Sequence, residues 1–254
     1  MMIPQQQIIF DLDDTLIYCN KYFDLILDQF YETLQEWFAG ERLTTEEIRE
    51  KQIEIDVAGV NKLGFASEHF PRSLIETYLY FCRAYKREPV KTEEEQLLLL
   101  GRSVYDQEVE PYPGMVETLE SLSKAGHILY LYTGGEPAIQ QRKIDKMKLA
   151  SYFEDRIFIR QHKNVEALEE ILRLNQFDRS VTWMIGNSLR TDISPALEAG
   201  IHAIYLKQEK EWVYNMVELQ QKPASVMYTI NTLTEVPRVI HESIQIHQQK
   251  KTLG

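Results

Sequence analysis

Short apolar runs, each ended by polar residues or glycine, recur along most of the chain. They are rich in the β-branched and aromatic residues that favour strands, and they occupy residues 7–12, 127–135, 155–160, 180–188, 200–207 and 225–230. Segments whose apolar positions have the helical spacing of three and four residues lie at 115–125, 137–149, 164–174 and 192–199. This alternation predicts an α/β fold with a doubly wound, Rossmann-like parallel sheet, which would bind ligands beyond the carboxyl ends of its strands.

Residues 20–108 have a different pattern, with almost no strand-like run. Helical periodicity covers four stretches, at 23–38, 45–55, 71–85 and 92–107, and threonine followed by acidic residues opens two of them, as at many helix N-termini. Pro111, Pro113 and Gly114 mark the return to the core. We therefore predict an α/β core at 1–19 and 109–237, an inserted helical-bundle domain at 20–108, and a polar, frayed tail at 238–254.

The composition of the chain predicts which kinds of partner it does not bind and in which cellular compartment it lies. The net charge of -11, from 28 basic and 39 acidic residues, repels nucleic acid and anionic lipid, so we predict neither as a partner. Two cysteines, Cys19 and Cys82, predict a reducing, cytoplasmic location rather than a disulfide framework. The N-terminal sequence has no basic region and no apolar run is long enough to span a bilayer, so no signal peptide or membrane anchor is predicted. Oligomeric state stays open.

Four polar residues, Asp11, Asp13, Asp14 and Thr15, lie where the first predicted strand ends. Residues 11 and 13 point in the same direction, so two carboxylates would face one cavity and repel each other unless a cation or a shared proton intervenes. The alternative is a simple turn, because Asp and Thr are common turn and cap residues. The short motif alone does not decide between these interpretations.

Two further candidates follow the second and third strands. Thr133 precedes Gly134 and a helix start, and this arrangement would offer a hydroxyl and free backbone amides to an anion. Lys163 stands at another helix start, where a positive charge gains nothing from the helix dipole, which suggests a specific task. The alternatives are an ordinary N-cap threonine and a solvated surface lysine.

The loop after the fourth strand completes the set. Gly186, Asn187 and Asp192 lie there, and the last two offer the oxygen ligands that Mg²⁺ prefers. An Asx turn with an aspartate N-cap explains the same residues equally well. Each element is weak alone, but coincidence at four successive strand ends is improbable.

The four elements together resemble the motifs of the haloacid dehalogenase superfamily of phosphohydrolases. The resemblance rests on DLDDT at 11–15, Thr133, Lys163 and GNSLRTD at 186–192, and it spans residues 8–206. The helical insert at 20–108 has the position of that family's type-one cap. As a set these motifs are specific for the superfamily, but they carry no information about the substrate.

The resemblance implies a phosphatase with a covalent intermediate. Asp11 would attack phosphorus and form an aspartyl-phosphate, and Asp13 would protonate the leaving oxygen and later deprotonate the attacking water. Thr133, the amide of Gly134 and Lys163 would bind the phosphoryl oxygens. The implied substrate is a small phosphorylated metabolite, with nucleotides, sugar phosphates and phosphoglycolate-like compounds all open.

The resemblance also implies a Mg²⁺ cofactor. Its ligands would be Asp11, the main-chain carbonyl of Asp13 and Asn187, with Asp192 acting through a water or as a direct ligand. Asn187 departs from the pattern, because many relatives have aspartate there. The site loses one negative charge, so we expect weak metal binding and a requirement for millimolar Mg²⁺.

Other functions stay open at this point. A phosphotransferase or mutase differs from a phosphatase only in the fate of the aspartyl-phosphate, whereas an acid at position 13 argues against a dehalogenase. A non-catalytic phosphometabolite-binding relative is less favoured, because Asp11, Asp13 and Lys163 are all in place. In the insert, residues 60–65 (VNKLGF) predict a break between helices, where Asn61 and Lys62 would be either substrate contacts or part of an ordinary connection.

Aromatic side chains offer one further alternative. Those at positions 18, 22, 23, 78, 80 and 81 would either stack on a nucleobase or, at helical spacing, form the core of the insert. The second interpretation is favoured.

Overall fold

The computed structural model of the protein describes residues 4–219 and 225–253. Among these residues, the strands of the core form one parallel sheet: β1 (Gln7–Phe10), β2 (Ile128–Gly134), β3 (Ile157–Arg160), β4 (Thr182–Gly186), β5 (His202–Leu206) and β6 (Met227–Ile230). Their order is β3-β2-β1-β4-β5-β6, so the strand order reverses next to β1, which is where such sheets bind ligands. The predicted fold class is confirmed.

The helices of the described residues are α1 (Asn20–Trp37), α2 (Thr45–Leu63), α3 (His69–Ala84), α4 (Lys91–Arg102), α5 (Met115–Lys124), α6 (Pro137–Lys146), α7 (Ala150–Phe153), α8 (Val165–Leu174), α9 (Ser194–Glu198) and α10 (Val236–Leu253). A π-helical turn, Leu189–Ile193, leads directly into α9. None of the helices within the described ranges is both long and apolar enough to cross a membrane.

Both faces of the sheet are buried, which explains why its strands read as nearly continuous apolar runs. Successive side chains point to opposite faces. Ile8 and Phe10 of β1 join one hydrophobic cluster, with Trp183 of β4, whereas Ile9 joins the other, with Met184. These side chains are at most 1% exposed, so the central strands are held from both sides.

The register of the central strands brings their carboxyl ends level with one another. Phe10 of β1 is paired with Leu131 of β2 and with Ile185 of β4. Asp11 directly follows β1, Thr133 is next to last in β2, and Asn187 directly follows β4. The sheet therefore brings Asp11 close to polar residues that lie more than a hundred positions further along the sequence.

The chain divides into two compact units. One contains the residues up to Tyr18, then Val109–Gly134, and those from Gln140 onward, and the other contains Cys19–Glu108 with Gly135–Ile139. In the second unit α1, α2, α3 and α4 pack around their own apolar cluster, which includes Phe30, Leu74 and Leu97. A complete capping box at Thr44 begins α2, whereas Val90, not a threonine, precedes α4.

Gly135–Ile139 groups with the helical unit although it follows β2 in the sequence. Ser67 donates two hydrogen bonds to Glu136 Oε1, from its backbone amide at 2.8 Å and from its hydroxyl at 2.7 Å. This grouping could not be predicted from the sequence, because it depends on a contact between residues 69 positions apart.

Two expectations about local structure are wrong. Residues 238–253 are not a frayed tail but part of α10, because Val239, Ile240 and Ile244 recur at helical spacing and are buried in the core cluster. The predicted break at 60–65 begins only at Gly64. Asn61 and Lys62 lie exposed in the last turn of α2, and their role as substrate contacts stays a prediction.

The aromatic residues of the insert follow the favoured interpretation in most cases. Tyr22, Phe23, Tyr78 and Phe81 belong to the apolar cluster of the helical unit or pack against it, whereas Tyr80 is 39% exposed. Tyr18 lies in the other unit, where its ring centroid is 4.6 Å from that of Tyr112.

Candidate active site

The loop after β1 folds tightly around Asp11, which is 5% exposed. The backbone amides of Thr15, Leu16 and Ile17 all donate to the Leu12 carbonyl. Asp14 takes up the turn with a φ of 56°, a conformation that Asp tolerates better than most residues. The Thr15 hydroxyl then donates to Asp11 Oδ2 at 2.9 Å, so one carboxylate oxygen of Asp11 is fixed by its own loop.

Lys163 fixes the other oxygen of Asp11. Its Nζ lies 2.6 Å from Asp11 Oδ1 and 2.5 Å from Asp192 Oδ1, and its side chain is 2% exposed. The lysine is therefore a buried ion-pair partner and not a solvated surface residue. The sequence placed it correctly before α8, where Asn164 rather than Lys163 is the N-cap.

Burial has the largest effect on the pKa of the Asp11 carboxyl group. It raises the pKa of Asp11 to about 7, against the opposing effect of the Lys163 ammonium group, and Asp192 and Asp13 add to the rise. Burial also disfavours the charge on Lys163, but the two carboxylates outweigh it and raise the pKa of the ammonium group. A positive charge bound next to Asp11 in addition to Lys163 would lower the pKa of Asp11 and favour its ionised form.

Asp192 lies in the π-helical turn after β4, with both carboxylate oxygens in contact with protein donors. Oδ1 accepts from Lys163, and Oδ2 accepts from the backbone amide of Ser188 at 3.0 Å. The neighbouring Asn187 is 4% exposed, and its Oδ1 lies 3.4 Å from the Thr15 hydroxyl. Asn187 Oδ1 and Asp11 Oδ2 therefore converge on the same hydroxyl group.

Gly186 allows Asp192 to approach the strand. A Cβ atom at position 186 would lie 2.2 Å from Asp192 Oδ2 and 2.4 Å from its Cγ. Both distances are far below van der Waals contact, so Asp192 could not stay in place if residue 186 carried a side chain.

We expect Gly186→Ala to lower kcat/KM about 100-fold, because a displacement of this size moves Asp192 and with it Lys163. Gly40→Ala is the matched control, since a Cβ atom there meets nothing within 4 Å. Steady-state kinetics with both variants checks the expectation. Unchanged kinetics in the Gly186 variant would mean that the position of Asp192 does not matter for turnover.

Asp13 lies in a second set of contacts that the sequence did not predict. Lys143 Nζ contacts Asp13 Oδ1 at 2.8 Å and Oδ2 at 2.9 Å. The Gln140 side-chain amide donates to Asp13 Oδ2 at 2.9 Å and to the Thr133 hydroxyl at 2.5 Å. Thr133 and Asp13 are therefore linked through one buried glutamine, and both belong to the same site.

The contacts given above form two sets. One contains Asp11, Lys163, Asn187 and Asp192, and the other links Asp13 to Thr133. Gly134 is the last residue of β2, and its role as an amide donor stays a prediction. Gly135 follows with a φ of 138°, where an L side chain would be strained. Gln140 and Lys143 are the residues that sequence reasoning missed, because helical spacing did not identify which side chains of α6 face the strand ends.

The donor set fits a hard divalent cation better than a soft one. Among the described residues, no group of three or more His, Cys, Asp and Glu side chains forms a metal cluster. The converging atoms are carboxylate and amide oxygens, those of Asp11 and Asn187, which are ligands that Mg²⁺ accepts. The carboxyl groups of Asp11 and Asp192 lie beside Lys163, and that of Asp13 lies beside Lys143.

Comparison with known proteins identifies the family of the chain. The family model of the haloacid dehalogenase-like hydrolases matches residues 6–200. A phosphoglycolate phosphatase of Mesorhizobium japonicum is 29% identical over 206 residues, which cover 78% of this chain and 80% of that protein. A ribulose-1,5-bisphosphate 5-phosphatase of Halopiger xanaduensis is 25% identical over 224 residues, which cover 80% and 85% respectively.

Solved structures agree at the level of the fold. A haloacid dehalogenase-like family hydrolase from Xanthomonas campestris superposes with a TM-score of 0.74 at 20% sequence identity, over 95% of this chain and 98% of that one. The family match covers most of the chain and includes every residue of the site described above. The protein belongs to the haloacid dehalogenase-like hydrolase family.

Proposed function

We propose that the protein is a Mg²⁺-dependent phosphatase that hydrolyses a small phosphorylated metabolite through an aspartyl-phosphate on Asp11. The observation that carries the proposal is a buried carboxylate at the end of β1, with one oxygen bound by Lys163 and the other by Thr15. Such a group is held in one orientation and shielded from bulk water. The names of the two relatives, both phosphatases of small phosphorylated compounds, support the same reaction class.

Asp11 is the proposed nucleophile. One of its carboxylate oxygens forms a bond to phosphorus as the bond from phosphorus to the ester oxygen breaks, which yields an aspartyl-phosphate and the free alcohol. Lys163 orients Asp11 and offers positive charge to the phosphoryl oxygens as they gain charge. The Thr133 hydroxyl and the Gly134 amide are the other proposed donors to these oxygens.

Asp13 is the proposed general acid and base. Its carboxyl group gives a proton to the departing ester oxygen, and the resulting carboxylate later takes a proton from the water that attacks the aspartyl-phosphate. This second step releases inorganic phosphate and restores Asp11. Thr133, to which Asp13 is linked through Gln140, would keep the acid next to the transferring group.

Phosphatases of this family generally use Mg²⁺, and the residues present fit it. The side chains of Asp11 and Asn187 and the main-chain carbonyl of Asp13 would hold the ion, with Asp192 acting through a water. When bound, it would supply positive charge to the nucleophile and to a phosphoryl oxygen. Asp192 itself is proposed to position Lys163, since both of its oxygens already accept from protein donors.

The uncharged side chain of Asn187 should make the binding of Mg²⁺ weaker than a carboxylate at this position would. We expect Asn187→Asp to lower the half-saturating Mg²⁺ concentration about tenfold, because the change adds a negative charge at a buried ligand. Calorimetric titration with Mg²⁺ and titration of the activity should agree. Asn231→Asp is a control, since residue 231 is exposed and outside the site. Equal Mg²⁺ affinity in the parent and the Asn187 variant would remove Asn187 from the ligand set.

A screen for phosphate release tests the proposed function as a whole. The substrates are nucleotides, sugar phosphates, two- and three-carbon phosphates and a simple aryl phosphate, each with Mg²⁺ and with Asp11→Asn as the blank. We expect release from at least one small phosphate ester by the parent and none by the blank. Transfer of the phosphoryl group to a second alcohol without release would instead favour a phosphotransferase, and no turnover of any substrate would favour a binding protein.

A further inference from the structure

Gln140 and Lys143 lie three residues apart on α6, so their side chains share one face of the helix. That face meets Asp13. Lys143 Nζ contacts both carboxylate oxygens within 2.9 Å, and Gln140 donates to one of them. Three contacts on two oxygens fix both the position and the plane of the carboxylate.

The environment of these contacts strengthens them. Gln140 is 2% exposed, and the side chains of Lys143 and Asp13 are 16% and 25% exposed. Charge-assisted hydrogen bonds at this depth are less screened by solvent than those of a surface pair. Without Lys143, Asp13 would keep only the Gln140 contact among those described above, so the plane of its carboxyl group would no longer be fixed.

We propose that Lys143 is a positioning residue that holds the Asp13 carboxyl group at the leaving-group oxygen during phosphoryl transfer. The inference rests on the proposed function, in which Asp13 donates a proton to that oxygen. Lys143 does not touch the phosphoryl group in this account. It acts through Asp13, and its ammonium group remains next to the carboxylate that proton donation leaves behind.

A comparison of two leaving groups distinguishes this role from the alternatives. Phenyl phosphate and p-nitrophenyl phosphate have similar size, but p-nitrophenolate is the better leaving group and depends less on a proton from an acid. A residue that positions the acid should therefore matter more for phenyl phosphate. A residue that binds the substrate or supports the fold should matter equally for both.

The test uses the full chain and three variants. Lys143→Met removes the charge at similar length, Lys143→Arg keeps it, and Lys146→Met is the control on an exposed lysine of the same helix. With Mg²⁺ present, we expect Lys143→Met to lower kcat/KM about 30-fold or more for phenyl phosphate and about threefold or less for p-nitrophenyl phosphate. Lys143→Arg should recover most of the loss, and Lys146→Met should match the parent.

Several outcomes overturn the inference. Equal losses for the two esters would make Lys143 a substrate-binding or structural residue, and no loss for either would leave it without a role in turnover. Failure of the proposed function gives a different result, because the parent protein itself would then release no more phosphate than Asp11→Asn. The two failures are therefore distinguishable in one set of assays.

Discussion

The Asp11→Asn variant should release phosphate at least about 10⁴-fold more slowly than the parent protein. Asparagine has nearly the same size as aspartate; its amide oxygen can still accept from Lys163 and its NH₂ group can donate to the Thr15 hydroxyl, so the fold should persist. What it loses is the nucleophilic carboxylate oxygen. Loss of a positioning contact costs far less, and saturating Mg²⁺ in the assay offsets the weaker metal binding expected when this proposed ligand is changed.

Steady-state phosphate release with a calibrated aryl phosphate measures the effect. Asp145→Asn is a matched control, because this aspartate is exposed on α6. Thermal unfolding of both variants should lie near that of the parent. A variant that retains more than a few per cent of parental turnover, after contaminants are excluded, would remove Asp11 from the role of nucleophile.

Lys163→Met should lower kcat/KM about 10²- to 10³-fold, which is the loss expected when one charged donor to the transition state is removed. The same change should also destabilise the protein by about 3–5 kcal/mol, because it leaves Asp11 and Asp192 buried next to each other without a cation. Lys146→Met should change neither quantity. Kinetics and chemical denaturation measure the two effects separately.

A double variant separates folding from chemistry. Adding Asp192→Asn to Lys163→Met removes one of the two buried acidic groups that lack a cation, so it should recover at least half of the lost free energy of unfolding without recovering activity. If the double variant were less stable than the single one, the contact between Lys163 and Asp192 would not be the electrostatic pair described here.

Much of the fold could be predicted from the sequence, for a physical reason. Strands of a parallel sheet are buried on both faces, so β1 and β4 are apolar after their first residue, and polar residues follow each of them directly. Because parallel strands end at the same edge, polar residues that follow them in the sequence meet in space. Asp11, Thr133 and Asn187 were predictable as neighbours on this ground, and their chemical roles stay predictions.

Two kinds of feature could not be predicted from the sequence. One is which face of a helix points toward the site or the core, and the other is a contact between single side chains that are distant in the sequence. Lys143, Lys146 and Lys148 lie within six positions of one another, and composition does not tell which of them faces Asp13. The burial of α10 depends on a few apolar residues within a polar segment. The contact between Ser67 and Glu136 joins distant positions and has no local signal.

Trapping of the covalent intermediate tests the central claim most directly. The Asp13→Asn variant should still be phosphorylated by p-nitrophenyl phosphate, because this leaving group departs without an acid, but it lacks the base that activates water for the second step. After rapid acid quench and proteolysis, mass spectrometry should find one phosphoryl group on the peptide that carries Asp11. Turnover that leaves this peptide unmodified, or a phosphoryl group attached to another residue, would contradict the account.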